Sequence, residues 1–407
     1  MRLLILTQYF PPETGAPQNR LFELAIRLKK YGLDVEILTA MPNYPKMEVF
    51  EEYKGKKTMT ETMDGLTVHR SSIYVTKSKG IAKRLMNYFS FVRSSYKAGK
   101  KLDDFDFIIV ESPPLFLGYS AMKLAKKLNA KLIFNVSDLW PESAEKLGLV
   151  SNKMFLNMAY KLEAKCYKKS TLITGQTQGI VADIRKRFSD KDVYWLPNGV
   201  DADAIKPDSV SEYGFRSKYG IIEDDFVFFY GGILGHAQGL EVIIKAAVEV
   251  KSNPKFKFVI MGSGPLKEDL VALAQKLDAS NVIFADPVGR TEVASVIKEV
   301  DISLIPLRNL PLFEGAIPSK IFEVLAMEKP ILLGVKGEAK DLFIKEGKCG
   351  WSFEPEDVQD LVSQIKLIEA DPQKLMEFGK NGRSYVQEKF NRNNIAKELH
   401  EKLMSLN

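Results

Sequence analysis

Only two cysteines, Cys166 and Cys349, occur in 407 residues. One lies in each half of the chain, so neither a disulfide framework nor a Cys/His zinc cluster can be assembled from them, and a cytoplasmic protein is expected. No apolar run approaches the roughly 20 residues that span a bilayer, which leaves peripheral contact as the only expected mode of membrane association. Residues 1–10 carry a single charged side chain, Arg2, and are followed by Pro11-Pro12; this is too short for a secretion signal and fits a first buried strand. Gly-x-Gly-x-x-Gly is missing after that strand, which weighs against a dinucleotide-dependent oxidoreductase. No basic cluster interleaved with aromatics resembles a known nucleic-acid motif either. The net charge of +6 favours an anionic ligand or lipid surface and calls for no nucleic acid.

What is present is an alternation of strand-like apolar runs and amphipathic helical stretches, the pattern of parallel sheets covered by helices on both faces. In the first half it predicts strands near residues 3–7, 35–39, 67–70, 107–110, 132–135, 172–175 and 194–196, with helices at 18–30, 118–128 and 153–169. The rhythm restarts near residue 226 and ends in a long helical tail. Between the halves, Leu196-Pro197-Asn198-Gly199-Val200-Asp201 combines Pro with Asn-Gly, both turn formers, and marks a linker. Ligands of open parallel sheets bind beyond the carboxyl ends of the strands, so two such lobes predict a site between them.

Three segments carry candidate chemistry. After the first strand, residues 8–17 include Gly15 and lead into a helix; such a loop can offer amides and a helix terminus to phosphate, and an ordinary βα turn fits it too. After the strand near 226–230, Gly231, Gly232, Gly235 and Gly239 fall within nine residues, together with His236 and Gln238, and Gly262 and Gly264 follow the next strand. Glycines there let backbone approach a diphosphate closely. In the third segment, Pro318 suits the first turn of a helix with Ser319 and Lys320 at its positive end, and Glu323 lies about one turn on, where a carboxylate can accept from ribose hydroxyls. A capped surface helix with solvated charges is the plain alternative.

Residues 80–102 place Ile81, Leu85, Tyr88, Phe89, Val92 and Tyr96 on one helical face, with Lys83, Arg84, Arg93, Lys97, Lys100 and Lys101 around it. Two readings stand side by side: a basic amphipathic helix lying on anionic lipid, or a face packed against the first sheet.

These motifs together resemble the family-four retaining glycosyltransferases, and within them the WbuB-like enzymes of bacterial O-antigen and capsule synthesis, including L-fucosamine-type transferases. The resemblance is carried by Tyr9-Phe10-Pro11-Pro12-Glu13, Asp138-Leu139-Trp140-Pro141-Glu142-Ser143, Leu196 to Asp201, Gln238-Gly239-Leu240-Glu241, Gly262-Ser263-Gly264-Pro265 and Pro318-Ser319-Lys320-Ile321-Phe322-Glu323.

It implies an α/β GT-B fold, two Rossmann-like doubly wound lobes facing across a cleft. Residues 1–197 would form the acceptor side, 198–387 the nucleotide-sugar side, and a helix at 388–407 would pack back on the first lobe. It implies transfer, with retention, of a sugar such as L-FucNAc from a nucleoside diphosphate, UDP first among them. The implied acceptor is a polyprenyl-diphosphate-linked saccharide, with the protein peripheral on the cytoplasmic face of the inner membrane. Glu323 resembles the second glutamate of the family's E-x7-E motif. The first would fall at Gly315, so Glu314 stands one residue out of register. Many relatives place Arg and Lys in the loop that here holds His236 and Gln238, leaving Lys320 or Arg308 to supply positive charge. Asp138 occupies a position near the reacting sugar. Loop amides and Lys320 can stabilise a departing diphosphate without a metal, and no cofactor is expected. A non-catalytic partner subunit, or an epimerase or phosphorylase of the same fold, are the alternatives.

Overall fold

A computed structural model describes residues 1–78 and 80–406. The chain divides into two compact units, Met1–Asn198 with a C-terminal return, and Gly199–Asn391.

In the first unit the elements are β1 (Arg2–Leu6), α1 (Ala16–Lys30), β2 (Asp34–Ala40), β3 (Thr58–Met63), β4 (Leu66–Ser71), α2 (Ile81–Gly99), β5 (Phe107–Ser112), α3 (Gly118–Lys127), β6 (Lys131–Val136), α4 (Glu142–Lys146), α5 (Lys153–Lys169), β7 (Leu172–Gly175), α6 (Gln178–Arg187) and β8 (Val193–Trp195). The sheet order is β3-β4-β2-β1-β5-β6-β7-β8. All neighbours run parallel except β3 and β4. Strands covered on both faces read as unbroken apolar runs, and every residue of β5 is buried. The edge strand β3 alternates exposed and half-buried side chains. Its hairpin turns at Asp64-Gly65, both at positive φ, a dipeptide that signals such turns.

The second unit comprises α7 (Phe215–Lys218), β9 (Phe226–Gly231), α8 (Glu241–Glu249), β10 (Phe256–Met261), α9 (Lys267–Lys276), β11 (Val282–Ala285), α10 (Val293–Lys298), β12 (Ile302–Pro306), α11 (Lys320–Ala326), β13 (Ile331–Gly334), α12 (Glu338–Lys340), β14 (Gly350–Ser352), α13 (Val358–Ala370) and α14 (Gln373–Lys389). Its sheet, β11-β10-β9-β12-β13-β14, is wholly parallel. The chain returns to the first unit with α15 (Arg392–Leu406), which begins at Arg392 and not at residue 388. Ile395, Ala396, Leu399 and Leu403 of α15 join the core cluster that Leu21, Leu24 and Leu28 of α1 build on one face of the first sheet.

The amphipathic helix expected at 80–102 is α2. Leu85, Tyr88, Val92 and Tyr96 pack against the core beneath it, so for these four the packing reading holds. Polar contacts reinforce the buried spine: Gln8 Nε2 donates to Asn87 Oδ1 at 3.0 Å and Ser95 Oγ to Ser120 Oγ at 2.9 Å. Phe89 stays 44% exposed. The side chain of Ile81 lies outside the described residues. Among the described residues no helix is long and apolar enough to cross a membrane.

Candidate functional site

In the second sheet the strand order reverses between β9 and β12, which makes the carboxyl ends of these two strands a topological switch point. Two loops converge there. The β9–α8 loop, residues 231–240, is held from below by its neighbours: Gly232 N donates to Met261 O at 2.9 Å, Leu234 N to Ser263 O at 2.9 Å, and Tyr230 Oη to Ile233 O at 2.7 Å. A Cβ on Gly262 would stand 1.8 Å from Gly232 O, and one on Gly264 would stand 2.3 Å from Leu234 O. Gly262 and Gly264 therefore serve first to let the two loops touch. The N–H groups of Gly232 and Gly262 are already donated within the unit, the latter to Ala285 O at 3.1 Å.

The β12–α11 segment completes the switch point. Arg308 N donates to Ala237 O at 2.9 Å and its Nε to His236 O at 2.6 Å. Its other guanidinium nitrogens face Glu241 at 3.1 Å and Glu356 at 3.4 Å, so the charge of Arg308 is matched and the residue organises the loop. His236 is exposed and Gln238 half-buried. Further on, α11 buries Ile321, Phe322, Val324 and Leu325, with Phe322 against Phe343 and Phe390 at 5.7 and 5.2 Å. That packing fixes the opposite face, where Ser319, Lys320 and Glu323 are partly exposed. Glu314 is exposed in a 3-10 turn, Pro311–Gly315, and its carbonyl lies against Gly337, where a Cβ would meet it at 2.1 Å.

Lys320 differs from Arg308. Its Nζ lies 3.7 Å from the centroid of the Tyr230 ring, and a Cβ on Gly232 would come within 2.8 Å of it. No carboxylate pairs with it among the described residues, and burial of its charged end pulls its pKa down to about 7. An ammonium without an anion thus points at the glycine loop.

In the first unit, Asp138 follows β6. Its Oδ2 accepts from Ser143 Oγ at 2.7 Å, and burial raises its pKa against that hydrogen bond and one from the Leu139 amide. Behind it lies a buried network that sequence reasoning missed. Arg20 of α1 donates to Glu111 at 2.7 Å and to Ser137 Oγ at 2.8 Å, and Thr174 Oγ1 donates to Asn135 Oδ1 at 2.6 Å. These partners lie far apart in the chain, and no local pattern announces them. Gly15 caps α1, and its loop is clasped by Glu13. One Glu13 oxygen accepts from the Asn43 and Tyr44 amides at 2.7 and 2.9 Å, and the other from Phe10 N at 3.1 Å. Burial nevertheless raises its pKa to about 7.

Asp-x-Asp spacings occur at residues 104–106, 190–192 and 201–203. Asp106 accepts from Arg2 N at 2.7 Å, Asp192 pairs with Lys402 at 2.7 Å, and Asp201 accepts from Ala204 N at 3.1 Å. Among the described residues no three His, Cys, Asp or Glu side chains group to hold a metal ion.

Comparisons with known proteins bear on the fold and the family. The family described as Glycosyltransferase Family 4 matches residues 18–204, and that described as Glycosyl transferases group 1 matches residues 214–385. The putative colanic acid biosynthesis glycosyl transferase WcaI of Escherichia coli K12 is 25% identical over 381 residues, covering 90% of this chain and 91% of its own. The O-antigen chain mannosyltransferase C of Escherichia coli is 20% identical, with 96% and 94% covered. Among solved structures, Anabaena HepE in complex with UDP and glucose superposes with a TM-score of 0.74 at 16% identity over all of both chains. WaaG, a glycosyltransferase involved in lipopolysaccharide biosynthesis, does so with 0.69 at 17% identity over 99% of each. These likenesses show the GT-B fold, and with two family matches that between them span most of the chain, the protein belongs to the group 1/family 4 glycosyltransferases and is a glycosyltransferase.

Proposed function

We propose that the protein transfers a sugar, with retention of anomeric configuration and without a metal, from a nucleoside diphosphate to a lipid-linked saccharide in bacterial surface-polysaccharide synthesis. The observation that carries the donor half is the unpaired Lys320 ammonium beside Gly232 at the β9/β12 switch point. The barrier to glycosyl transfer is departure of the diphosphate, and a fixed cation aimed at the leaving oxygens lowers it more than it lowers the energy of the bound donor. Glu323, on the same partly exposed face of α11, takes the ribose hydroxyls. Ser319 and the amides that open α11 complete the cradle. UDP is the proposed base and an N-acetyl amino sugar such as L-FucNAc the proposed cargo. The relatives named for colanic acid and O-antigen synthesis support the polysaccharide setting, and the UDP complex of HepE supports the donor class.

The test is a thermal-shift and calorimetric screen against UDP, GDP, ADP and TDP. UDP is expected to bind, and Glu323→Ala to weaken it by about 1.5–3 kcal/mol, the worth of hydrogen bonds to a charged acceptor. Full affinity in that variant would remove Glu323 from the donor site. Absence of binding by any of the four would favour a non-catalytic partner subunit, and turnover of a nucleotide sugar with no acceptor an epimerase.

A further inference from the structure

Each open sheet ends in two edge strands, and an edge strand leaves a row of backbone N–H and C=O groups without partners. Three of the four edges here are short: β8 and β14 have three residues each and β11 has four. The fourth, β3, has six, Thr58–Met63, and none of them is Pro, Lys or Arg. Short length, Pro and Lys are the usual means of keeping an edge from pairing with another chain, and β3 lacks all three.

Register decides which backbone groups face outward. β3 runs antiparallel to β4, with Thr58 opposite Ser71 and Met63 opposite Leu66, and Ser72 N donates to Lys57 O at 2.9 Å. Hydrogen-bonded pairs alternate along such a ladder, so Lys57, Met59, Glu61 and Met63 turn their backbone toward β4, and Thr58, Thr60 and Thr62 turn theirs away. The same three threonines are exposed, whereas Met59, Glu61 and Met63 are half-buried. Thr60 Oγ1 lies 3.0 Å from His69 Nδ1 on β4, which leaves its backbone unengaged. Glu61 is the one charged side chain in the strand, and Arg70 holds it, so no free charge guards this edge.

Charge selects what fits. Lys56 and Lys57 stand immediately before β3 and Asp64 immediately after it; all three are exposed, and none makes an ion pair among the described residues. The strand is therefore basic at its start and acidic at its end. Two copies of β3 laid antiparallel about a two-fold axis through Thr60 set Thr58 opposite Thr62 and Thr60 opposite itself. Lys56 of each copy then falls level with Asp64 of the other. This register matches every outward N–H with a C=O, sets β-branched threonines across the new ladder, and places opposite charges at both ends. A parallel pairing would set Lys against Lys and Asp against Asp. We propose that the protein forms a two-fold dimer through antiparallel pairing of β3 with β3 of a second copy, which joins their eight-stranded sheets into one. A single strand pair buries little area, so the association is weak and depends on concentration. It requires nothing of Lys320 or Glu323 and is independent of the donor site.

The experiment is sedimentation velocity of the full chain from low to high micromolar concentration, with amide hydrogen exchange at both extremes. A closed monomer–dimer equilibrium is expected, with exchange at Thr58, Thr60 and Thr62 slowed as the dimer forms. Lys56→Glu with Lys57→Glu in one variant, and Asp64→Lys in another, should each raise the dissociation constant roughly tenfold, because each puts like charges at both ends of the contact. An equimolar mixture of the two variants should associate as the wild type does, since each then meets opposite charge in the other. Misfolding of either variant cannot produce that restoration. Thr60→Pro removes the central outward N–H, which β4 does not use, and should abolish the dimer. A wild type that stays monomeric throughout, a dimer that survives Thr60→Pro, a mixture that fails to associate, or growth past the dimer into longer oligomers overturns the proposal.

Discussion

Lys320→Met is the substitution that most sharply separates a donor site from a surface helix. The wild-type ammonium sits 3.7 Å from the Tyr230 ring centroid, and burial lowers its pKa to about 7. Met keeps the length and apolar stem of the side chain and removes only the charge, so folding stability should hold or rise slightly. Affinity for UDP should fall by about 1.5–3 kcal/mol, roughly 10- to 150-fold, the loss of one charge-assisted hydrogen bond to the diphosphate. The pH dependence makes the test stricter. A diphosphate beside the ammonium raises its pKa above the free value near 7, so the binding contribution is fully present below that pH. Above it the free protein must take up a proton to bind, and affinity should fall by about 1.4 kcal/mol per pH unit until the bound-state pKa is reached. The second ionisation of a terminal phosphate, near pH 6, is largely complete above pH 7 and adds little slope there, so the slope is read from pH 7 to 9. Isothermal calorimetry from pH 6 to 9, in buffers of different ionisation enthalpy, measures both the affinity and the proton taken up. Wild-type affinity level from pH 7 to 9 without proton uptake, or Lys320→Met binding UDP as tightly as wild type, would refute the assignment.

Two further outcomes follow from the geometry of the loops. Gly262→Ala forces a Cβ to 1.8 Å from Gly232 O at a residue with φ of 149° and should destabilise by more than about 3 kcal/mol in urea melts; Gly148→Ala, with nothing within 4 Å of its Cβ, should cost only about 1 kcal/mol. Glu13 has its folded pKa raised from 4.5 to about 7 by burial, so its ionisation costs stability progressively as pH rises through that window and no further above it. The stability of wild type relative to Glu13→Gln should accordingly fall by about 3 kcal/mol between pH 4.5 and 7, and a difference independent of pH would show that Glu13 titrates normally.

Most of the fold was legible because buried parallel strands leave uninterrupted apolar runs. Residues 172–175 and 153–169, expected as strand and helix, are β7 and α5 to the residue. The strand β3 escaped because its Thr-Met-Thr-Glu-Thr-Met sequence alternates weakly on an exposed edge, although Asp64-Gly65 marked the turn. The site was legible only in part. Gly262 and Gly264 carry the composition of a phosphate loop, yet their conformation serves contact between two loops, a distinction that depends on what lies opposite the Cα. Periodicity gave α2 an apolar face but could not say whether a sheet or a lipid lies beneath it. Likewise, whether Arg308 or Lys320 retains a free charge depends on Glu241 and Glu356, which are remote in sequence from both.

That difference between two cations bears on what the second unit is built to do. Removing an ammonium from water without an anion costs several kcal/mol, and replacing it with an apolar side chain of similar volume usually stabilises a fold. With 52 acidic residues in the chain, a carboxylate could have been placed beside Lys320 as two are placed beside Arg308. The Tyr230 ring returns only about 0.5–2 kcal/mol of the loss. A cation without a carboxylate partner that packs against the loop at a switch point is accounted for, on the proposed reading, when its partner arrives from solution. The proposed partner is an anion compact enough to lie against Gly232, and the diphosphate of a glycosyl donor has that chemistry.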